Sequence, residues 1–335
     1  MFARSVYLNQ FDNNFKIDEN CSYYFTSFHI EEEFDDNYID KANDLIKFLK
    51  QHDKRIIVDI SPKGLSFLGY DNIRSFIKDF DIDYIRLDYG FNNDEIIELS
   101  KYCNIAINAS TFDLTLLDKL DNDVIAIHNF YPRKDTGLDR EYFNKRNRIL
   151  KKHSIKVGAF IAGDGSFRQP LYEGLPTLED CRNKLPYIQY LSIVDAVDLV
   201  IVGDQGLSDY QSRLIDLTIK DQIIRLPVIL NDEYEYLYNQ ILTNRIDSPS
   251  WLIRIKQSRD YASAGNIIEP DNCLDRKMGC ITIDNKNYLR YSGEIQILKK
   301  DFEANDKVNI IGNVKQEYLD ILKYIKNGSD FIFEK

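Results

Sequence analysis

Eight short apolar runs, rich in β-branched and aromatic residues, recur over the first two thirds of the chain, and each ends near a polar residue. Apolar runs of this kind predict strands that are buried on both faces, as in a parallel sheet. Between them lie segments with apolar residues at helical spacing, such as the stripe within residues 38–49. The eight runs are residues 5–9, 23–30, 55–61, 84–90, 105–110, 124–132, 156–163 and 198–204.

This alternation predicts a (β/α)8 TIM barrel, because a doubly wound open sheet more often stops at about five or six strands. Only residues 10–22 separate the first two runs, and they show no apolar stripe. We therefore expect the first crossover helix to be short or missing.

The pattern changes after Asp221, where β-strand signals replace the strand–helix alternation. A chain of 335 residues is long enough for a second core. We place the boundary near Leu226-Pro227 and expect a TIM-barrel catalytic domain over residues 1–224 and a small β-barrel-like domain over 227–335. The later strand candidates are residues 251–255, 279–284, 287–298 and 308–314, with one helix-like run over 316–325.

Charge and cysteine content restrict the partners. The net charge is −11 and no run of Lys or Arg is present, which argues against a nucleic-acid partner. The five cysteines are scattered and include no C-x-x-C pair, so neither a disulfide framework nor a zinc site is expected. The sequence shows no signal peptide and no apolar run of about 18 residues, so we expect a cytoplasmic protein without a membrane partner.

The active site of a TIM barrel lies at the C-terminal ends of its strands. Asp59 and Asp88 close two sequential strands, and two neighbouring acids suit glycoside cleavage, in which one protonates the leaving oxygen and the other stabilises or attacks the cationic centre. A strand-end Asp also often caps the next helix, and this reading stays open. The polar residues at the strand ends are Glu31, Glu32, Asp59, Asp88, Asn108, His128, Asn129, Asp164 and Asp204.

The sixth run ends in the cluster His128-Asn129-Phe130-Tyr131-Pro132, which Arg133 and Lys134 follow. His128 is the best candidate for a histidine that contacts substrate; the alternative is a histidine that is hydrogen-bonded inside the barrel mouth. Arg133, and Arg168 in the long loop of residues 163–176, suit capture of a phosphate or carboxylate, although surface exposure is the commoner fate of an arginine. The same loop adds Glu173.

Several cofactor motifs are missing. The sequence contains no Walker A motif, no G-x-G-x-x-G after a strand, no G-x-S-x-G and no H-E-x-x-H. We therefore predict no cofactor and no metal site.

Several stretches resemble the 6-phospho-N-acetylmuramidase family over nearly the whole chain. The resemblance implies a TIM barrel followed by a cyclophilin-like domain. It also implies a cytoplasmic glycosidase of cell-wall recycling that splits N-acetylmuramic acid 6-phosphate from β-1,4-linked N-acetylglucosamine, so that the partner is a small phosphorylated amino-sugar disaccharide. The stretches are IIVDISPKGLSFLG (56–69), YIRLDYGF (84–91), IAINAS (105–110), AIHNFYPRKDTGL (126–138), LYEGLPTLEDCR (171–182) and DNKNYLRYSGEIQI (284–297).

Site residues follow from the resemblance. Asp59 and Asp88 match the acidic strand-end positions, with Glu173 or Asp204 as substitutes. The phosphate and the lactyl carboxylate of the substrate give the arginines a role, without deciding which binds which anion. The substrate-binding candidates are Asn108, His128, Asn129, Tyr131, Arg133, Arg168, Arg254, Arg259 and Arg290.

Three questions stay open at this point. The mechanism is retaining, inverting or assisted by the acetamido group of the substrate. A metal-assisted phosphosugar isomerase or epimerase that uses Asp and His128 is an alternative enzyme. A phosphosugar sensor without catalysis is an alternative of another class.

Overall fold

The structure is a computed structural model that describes residues 1–12, 15–28, 30, 34, 35, 37–87, 90–204, 206–263, 265 and 267–335. The chain forms two compact units, Met1–Gln211 and Ser212–Lys335. Each unit contains one β-sheet surrounded by helices and turns.

The first unit is a closed barrel of eight parallel strands in sequential order, which confirms the predicted TIM barrel. Its first strand lies three residues before the predicted run, because Phe2 and Ala3 pair with β8 and β2 while the chain turns at Leu8–Gln10. The strands are β1 Phe2–Ser5, β2 Tyr23–Ser27, β3 Arg55–Ile60, β4 Tyr84–Leu87, β5 Ile105–Asn108, β6 Val124–Ile127, β7 Lys156–Ile161 and β8 Leu199–Val202.

Helices cover the outside of the barrel. The crossover after β5 contains only the 3₁₀ turn Leu114–Lys119. These helices are α1 Tyr38–Gln51, α2 Pro62–Phe67, α3 Ile73–Asp79, α4 Asn93–Ser100, α5 Arg140–Lys152 and α6 Pro186–Ile193. Helix α7, Asp209–Asp221, begins in the first unit and continues into the second.

The first crossover has no α-helix among its described residues, as expected from its sequence, and holds only the 3₁₀ turn Leu8–Gln10. Aromatic rings pack there instead. Phe11 and Phe15 lie 5.5 and 6.0 Å from the ring of Phe48 on α1, and Phe15 lies 6.1 Å from Tyr24 on β2. These rings cover the outer face of the barrel where a crossover helix would otherwise pack.

The barrel interior is filled by side chains that alternate along the strands. One position on or just after each strand lies two residues beyond a member of this interior cluster and therefore points to the C-terminal mouth. These positions are Ser5, Ser27, Asp59, Arg86, Asn108, Asn129, Ala162 and Gly203. The interior residues two positions before them are, in the same order, Ala3, Phe25, Ile57, Tyr84, Ala106, Ile127, Phe160 and Ile201.

The second unit contains a seven-stranded, mostly antiparallel sheet in the order β10-β15-β9-β14-β12-β13-β11. A bridge between Asn244 and Ile255 joins the ends of the two edge strands, so the sheet is nearly closed, as the barrel-like prediction requires. Its cyclophilin-like character stays a prediction. The elements are β9 Ile224–Leu230, β10 Ile241–Thr243, β11 Leu252–Arg254, α8 Lys256–Ser263, β12 Cys280–Asp284, β13 Ile295–Leu298, β14 Val308–Val314 and β15 Asp330–Glu334.

Three features of the second unit differ from the sequence prediction. The strand predicted at 287–298 is the 3₁₀ helix Lys286–Tyr291 followed by β13, Ile295–Leu298. The predicted boundary near Leu226-Pro227 lies inside β9, whereas the compact units divide between Gln211 and Ser212. The helix-like run at 316–325 is the 3₁₀ helix Gln316–Lys323.

Candidate active site

A buried ion pair lies at the mouth of the barrel, between β3 and β4. Asp59 and Arg86 are direct neighbours in the register of these strands, and Arg86 Nη1 donates a hydrogen bond to Asp59 Oδ1 at 2.7 Å. Asp59 is 1% and Arg86 3% exposed. Charges at such depth persist only when they are paired, and a guanidinium at this distance favours the carboxylate over the carboxylic acid. The guanidinium of Arg86 therefore stabilises the ionised form of Asp59.

Asn108 and Asn129 continue this polar row along β5 and the end of β6. Arg86 Nη2 donates a hydrogen bond to Asn129 Oδ1. Asn108 Oδ1 accepts one from the main-chain N–H of Ser110 at 3.0 Å, and both amides are half-buried. The predicted residues Asp59, Asn108 and Asn129 thus share the mouth with Arg86, which the sequence analysis did not select.

Three of the predicted acids, Asp88, Glu31 and Glu32, lie outside the described residues. Asp164, another predicted strand-end acid, accepts hydrogen bonds from the main chain and the hydroxyl of Ser208, both at 2.7 Å. It therefore fixes the turn before α7.

His128 does not point into the mouth. Its ring is fully buried, with Nδ1 3.1 Å from Ser110 Oγ and Nε2 2.7 Å from Asn147 Oδ1 on α5. The ring of Phe143 on the same helix lies 4.7 Å away. Burial lowers the pKa of His128 to about 4. Because side chains alternate along a strand, Asn129 faces the mouth and His128 faces the helix layer, which corrects the expected substrate contact.

Asp204 anchors the loop of residues 163–176. Its buried carboxylate accepts main-chain hydrogen bonds from Gly163 at 3.1 Å, Leu175 at 2.9 Å and Arg168 at 3.2 Å. Burial raises the pKa of Asp204, while these three N–H groups and the charge of Arg168 oppose that change. The geometry gives Asp204 a positioning role rather than that of a substitute acid.

Arg168 lies where this loop crosses the mouth. Its guanidinium carbon is 5.1 Å from the ring centre of Tyr7 and 5.0 Å from that of Phe130. Tyr7 is fully buried, donates a hydrogen bond to the carbonyl of Gly203 at 2.7 Å, and has a pKa raised to about 12 by burial. Two aromatic rings thus hold the cation at the mouth, where it can bind an anion.

Small residues make room for this loop. A Cβ at Gly203 would come within 2.8 Å of Leu175, and one at Gly174 would come within 3.2 Å of Ala162. The mouth positions on β7 and β8 are therefore occupied by loop residues, whereas those on β3 to β6 carry polar side chains.

A second ion pair, Glu179 with Arg182, joins the two loops that follow β6 and β7. Arg182 donates to Glu179 at 2.6 Å and to the carbonyls of Tyr131 at 2.8 Å and Glu173 at 3.2 Å. Glu179 accepts from the main chain of Gly137 at 2.7 Å, and Arg182 lowers its pKa to about 2. Sequence analysis missed this pair, although both residues belong to the stretch at 171–182.

The remaining predicted residues of the barrel lie on these joined loops. Glu173 is half-buried and accepts a hydrogen bond from the main-chain N–H of Lys134 at 3.1 Å. Tyr131 is half-buried and Arg133 is exposed. The hydroxyl of Thr177, which was also missed, donates to the carbonyl of Asn129 at 2.9 Å and so fixes the main chain beside a mouth residue.

The three predicted arginines of the second unit lie together. Arg254 and Arg259 both donate to the carboxylate of Glu294, the former at 3.0 Å. Arg259 and Arg290 lie 4.9 and 5.1 Å from the ring centre of Tyr291.

Models of the 6-phospho-N-acetylmuramidase family match both units of this chain. The model of the N-terminal part matches residues 5–216, which include the whole row from Asp59 to Asn129. The model of the C-terminal part matches residues 224–334. The chain belongs to the 6-phospho-N-acetylmuramidase family.

Two crystal structures resemble this family member along its whole length. One is a conserved protein of unknown function from Enterococcus faecalis, at 30% identity and a TM-score of 0.84, covering 100% of this chain and 96% of that one. The other is an uncharacterized B. cereus protein at 23% identity and a TM-score of 0.80, covering 100% and 99%. No curated protein matches the chain.

Three further observations concern only the part of the family member that the structure describes. No group of three His, Cys, Asp or Glu side chains there could hold a metal ion. No helix in that part is long and apolar enough to cross a membrane. All five cysteines are free.

Proposed function

We propose that the protein hydrolyses the β-1,4 bond between N-acetylmuramic acid 6-phosphate and N-acetylglucosamine in the cytoplasm, as a step of peptidoglycan recycling. The observation that carries the proposal is the Asp59–Arg86–Asn129 row at the barrel mouth, in which Asp59 and Arg86 are buried. The guanidinium of Arg168 lies over Phe130, the residue that follows this row. Family membership supports a glycosidase, and this row supplies the carboxylate that a glycosidase needs.

Asp59 has the role of the ionised carboxylate in this proposal. Its pairing with Arg86 keeps it anionic, so it suits the stabilisation of an oxocarbenium-like transition state or the orientation of an acetamido group, and not proton donation. The general acid is then a different residue. Asp88 has that role in the proposal, with Glu173 as the alternative.

Polar residues around Asp59 bind the substrate. Asn108 and Asn129 present amide groups that suit sugar hydroxyls, and Tyr131 and Arg133 lie on the loop that follows. Arg168 takes the phosphate or the lactyl carboxylate, because a guanidinium binds two oxygens at once. Asp204 acts through the main chain of the loop that it holds, and His128 acts through its side-chain contacts with Ser110 and Asn147.

The test is incubation of the purified full chain with the phosphorylated disaccharide and, separately, with its unphosphorylated form, followed by mass spectrometry of the products. Cleavage of the phosphorylated compound alone is expected. Failure to cleave either compound, in protein whose circular dichroism shows a folded state, would reject the proposed reaction.

A further inference from the structure

The guanidinium of Arg182 holds the two loops that follow β6 and β7, here called the β6 loop (residues 129–139) and the β7 loop (residues 163–178). Four main-chain carbonyls, two from each loop, accept its N–H groups: Tyr131 at 2.8 Å, Arg133 at 3.3 Å, Glu173 at 3.2 Å and Gly174 at 3.4 Å. The side chain of Arg182 is only 3% exposed. A sugar therefore has almost no access to it, and any effect of Arg182 on a reaction has to pass through the residues that it holds.

Glu179 fixes this guanidinium in place. Its Oε1 accepts from Arg182 Nε at 2.6 Å and from the main chain of Asp135 at 3.1 Å, and its Oε2 accepts from Arg182 Nη2 at 2.9 Å and from the main chain of Gly137 at 2.7 Å. The hydrogen bond from Arg182 lowers the pKa of Glu179 to about 2, so the pair stays charged at neutral pH. The carboxylate thus ties the far end of the β6 loop to the same guanidinium.

The main chains of the two connections also meet directly at Gly137. A Cβ there would lie 2.6 Å from Glu179 Oε2 and 2.7 Å from the main-chain nitrogen of Glu179, so a larger residue would force a shift. The next residue, Leu138, forms a parallel bridge with Leu178, and its N–H donates to the carbonyl of Thr177 at 2.9 Å. The β6 and β7 loops are therefore joined into one structure.

Three of the four carbonyls belong to residues that have a role in the proposed function. Tyr131 and Arg133 are substrate contacts in that proposal, and Glu173 is the alternative acid. The main chain of Tyr131 is fixed on both sides, because its N–H also donates to the carbonyl of Pro176 at 3.0 Å. Groups that act on a substrate have to be held within about 0.5 Å of their productive arrangement, and contacts from behind the site provide this.

Stability is the weaker explanation for this arginine. Buried ion pairs rarely stabilise a fold more than apolar residues of similar size, since desolvation of the charges offsets their attraction. An arginine is instead suited to joining several acceptors, because its N–H donors lie in one rigid plane, whereas a lysine has a single donor nitrogen on a flexible stem. All three nitrogens of the Arg182 guanidinium donate.

We propose that Arg182 is a positioning residue that holds Tyr131, Arg133 and Glu173 in one fixed arrangement, with Glu179 orienting its guanidinium. The proposal rests on the proposed function for what these three residues do to the substrate, and it gives Arg182 itself no contact with the substrate. Both loops are expected to loosen together when the planar fork of Arg182 is lost.

Arg182→Lys tests the proposal, because a lysine keeps the charge beside Glu179 and loses the planar fork. Hydrogen exchange of the full chain, followed by mass spectrometry, should become at least about tenfold faster in both loops. Under conditions in which circular dichroism shows a folded variant, kcat/KM for the phosphorylated disaccharide should fall about 10²-fold, the effect of misplacing reacting groups by about 1 Å. If only the charge of Arg182 matters, the lysine will preserve both values.

Gly137→Ala is a second variant, which leaves Arg182 unchanged. Its added methyl group displaces Glu179, the residue that orients the guanidinium. Faster exchange in both loops and a lower kcat/KM are expected again. This variant keeps the proposal open to rejection if Arg182→Lys does not fold.

The matched control is Arg225→Lys in the second unit. Arg225 is also buried, pairs with Asp221 and donates to the carbonyl of Ile223 at 3.1 Å. This change should lower the free energy of unfolding and leave kcat/KM and the exchange of both loops as they are in the parent protein.

Three results would overturn the proposal: unchanged exchange in either loop of Arg182→Lys, faster exchange with an unchanged kcat/KM, or an equal loss of kcat/KM in Arg225→Lys. If the parent protein cleaves neither disaccharide, the proposed reaction fails. The exchange of the two loops still decides whether Arg182 holds them together, so the two failures are distinguishable.

Discussion

In the barrel mouth the buried Arg86 pairs with a carboxylate that is itself buried, whereas in the second unit the buried Glu294 holds guanidiniums that remain partly exposed. The side chains of Arg86 and Asp59 are 4% and 2% exposed, and those of Arg254 and Arg259 are 24% and 38% exposed. The first arrangement fixes one anion in a set geometry, as catalysis needs. The second leaves its guanidiniums partly accessible from solvent. The same residue types thus form different environments, which depend on the number of arginines for each carboxylate and on how deeply these side chains are buried.

The sharpest test of this comparison is Asp59→Asn, which keeps the shape of the side chain and removes its charge. If the anion of Asp59 stabilises the transition state, kcat/KM for the phosphorylated disaccharide should fall by at least about 10³-fold, or roughly 4 kcal/mol. Asp81→Asn is the control, because the side chain of Asp81 is 81% exposed. A loss of less than tenfold would show that Asp59 is not the catalytic anion.

Because the Asp59–Arg86 pair is more deeply buried than the pairs of Glu294, its disruption should cost more of the free energy of unfolding. Arg86→Met leaves Asp59 buried without this guanidinium and should lower the free energy of unfolding by about 3–5 kcal/mol. Glu294→Gln should cost less, about 1–2 kcal/mol, because its arginines keep access to water. Urea unfolding followed by circular dichroism measures both, and the fluorescence of Trp251, the single tryptophan of the chain, reports on the second unit. Equal losses of unfolding free energy in the two variants would show that burial does not distinguish the two ion pairs.

Asp284 should make the second unit less stable as the pH rises. Its pKa is raised to about 7 in the folded state from an ordinary value of 3.8, by burial and the charge of Glu294, against the charges of Arg254 and Arg276. The folded state therefore binds the proton more tightly, and this unit should lose about 2–4 kcal/mol as the pH rises from about 4 through 7. Asp284→Asn should abolish that loss in the Trp251 unfolding signal, and an unchanged pH profile would contradict this account.

His128 should have the opposite effect and make the barrel less stable as the pH falls. Burial lowers its pKa from 6.5 to about 4 in the folded state, so the unfolded chain binds the proton more tightly between these values. The barrel should lose about 2–3 kcal/mol as the pH falls from 6.5 to 4. His128→Gln keeps an amide that can bond Ser110 and Asn147, and it should flatten this loss in urea unfolding between pH 7 and 5. If the free energy of unfolding of the variant changes with pH as it does in the parent protein, groups other than His128 cause the loss.

Much of the barrel could be predicted because its strands are buried on both faces, which leaves eight apolar runs in the sequence. The second unit was harder to predict. Arg225 and Pro227 interrupt the apolar pattern of β9, although the carbonyl of Pro227 still accepts a hydrogen bond from the main chain of Lys315. β10 has only three residues, too few for a pattern.

The site was predicted in part, and its errors have a physical cause. The sixth run is apolar on both faces, so its pattern could not decide whether His128 or Asn129 faces the mouth. Arg86 is a charged residue inside an apolar run, and this is a sequence signal that could have identified it as a site residue. The links that Asp204 and Arg182 make to distant main-chain groups depend on tertiary structure, and no spacing in the sequence reports them.

The aromatic packing of Phe11 and Phe15 against Phe48 has a consequence for how this barrel tolerates change. Ring contacts of this kind do not require a fixed number of residues in the connection, unlike a helix whose register must match the strands beneath it. The part of this segment from Phe11 to β2 is therefore a place where the chain can gain or lose length while Tyr7 and the residues at the mouth, from Asp59 to Asn129, keep their positions. Sequence divergence among relatives can concentrate there without cost to the chemistry.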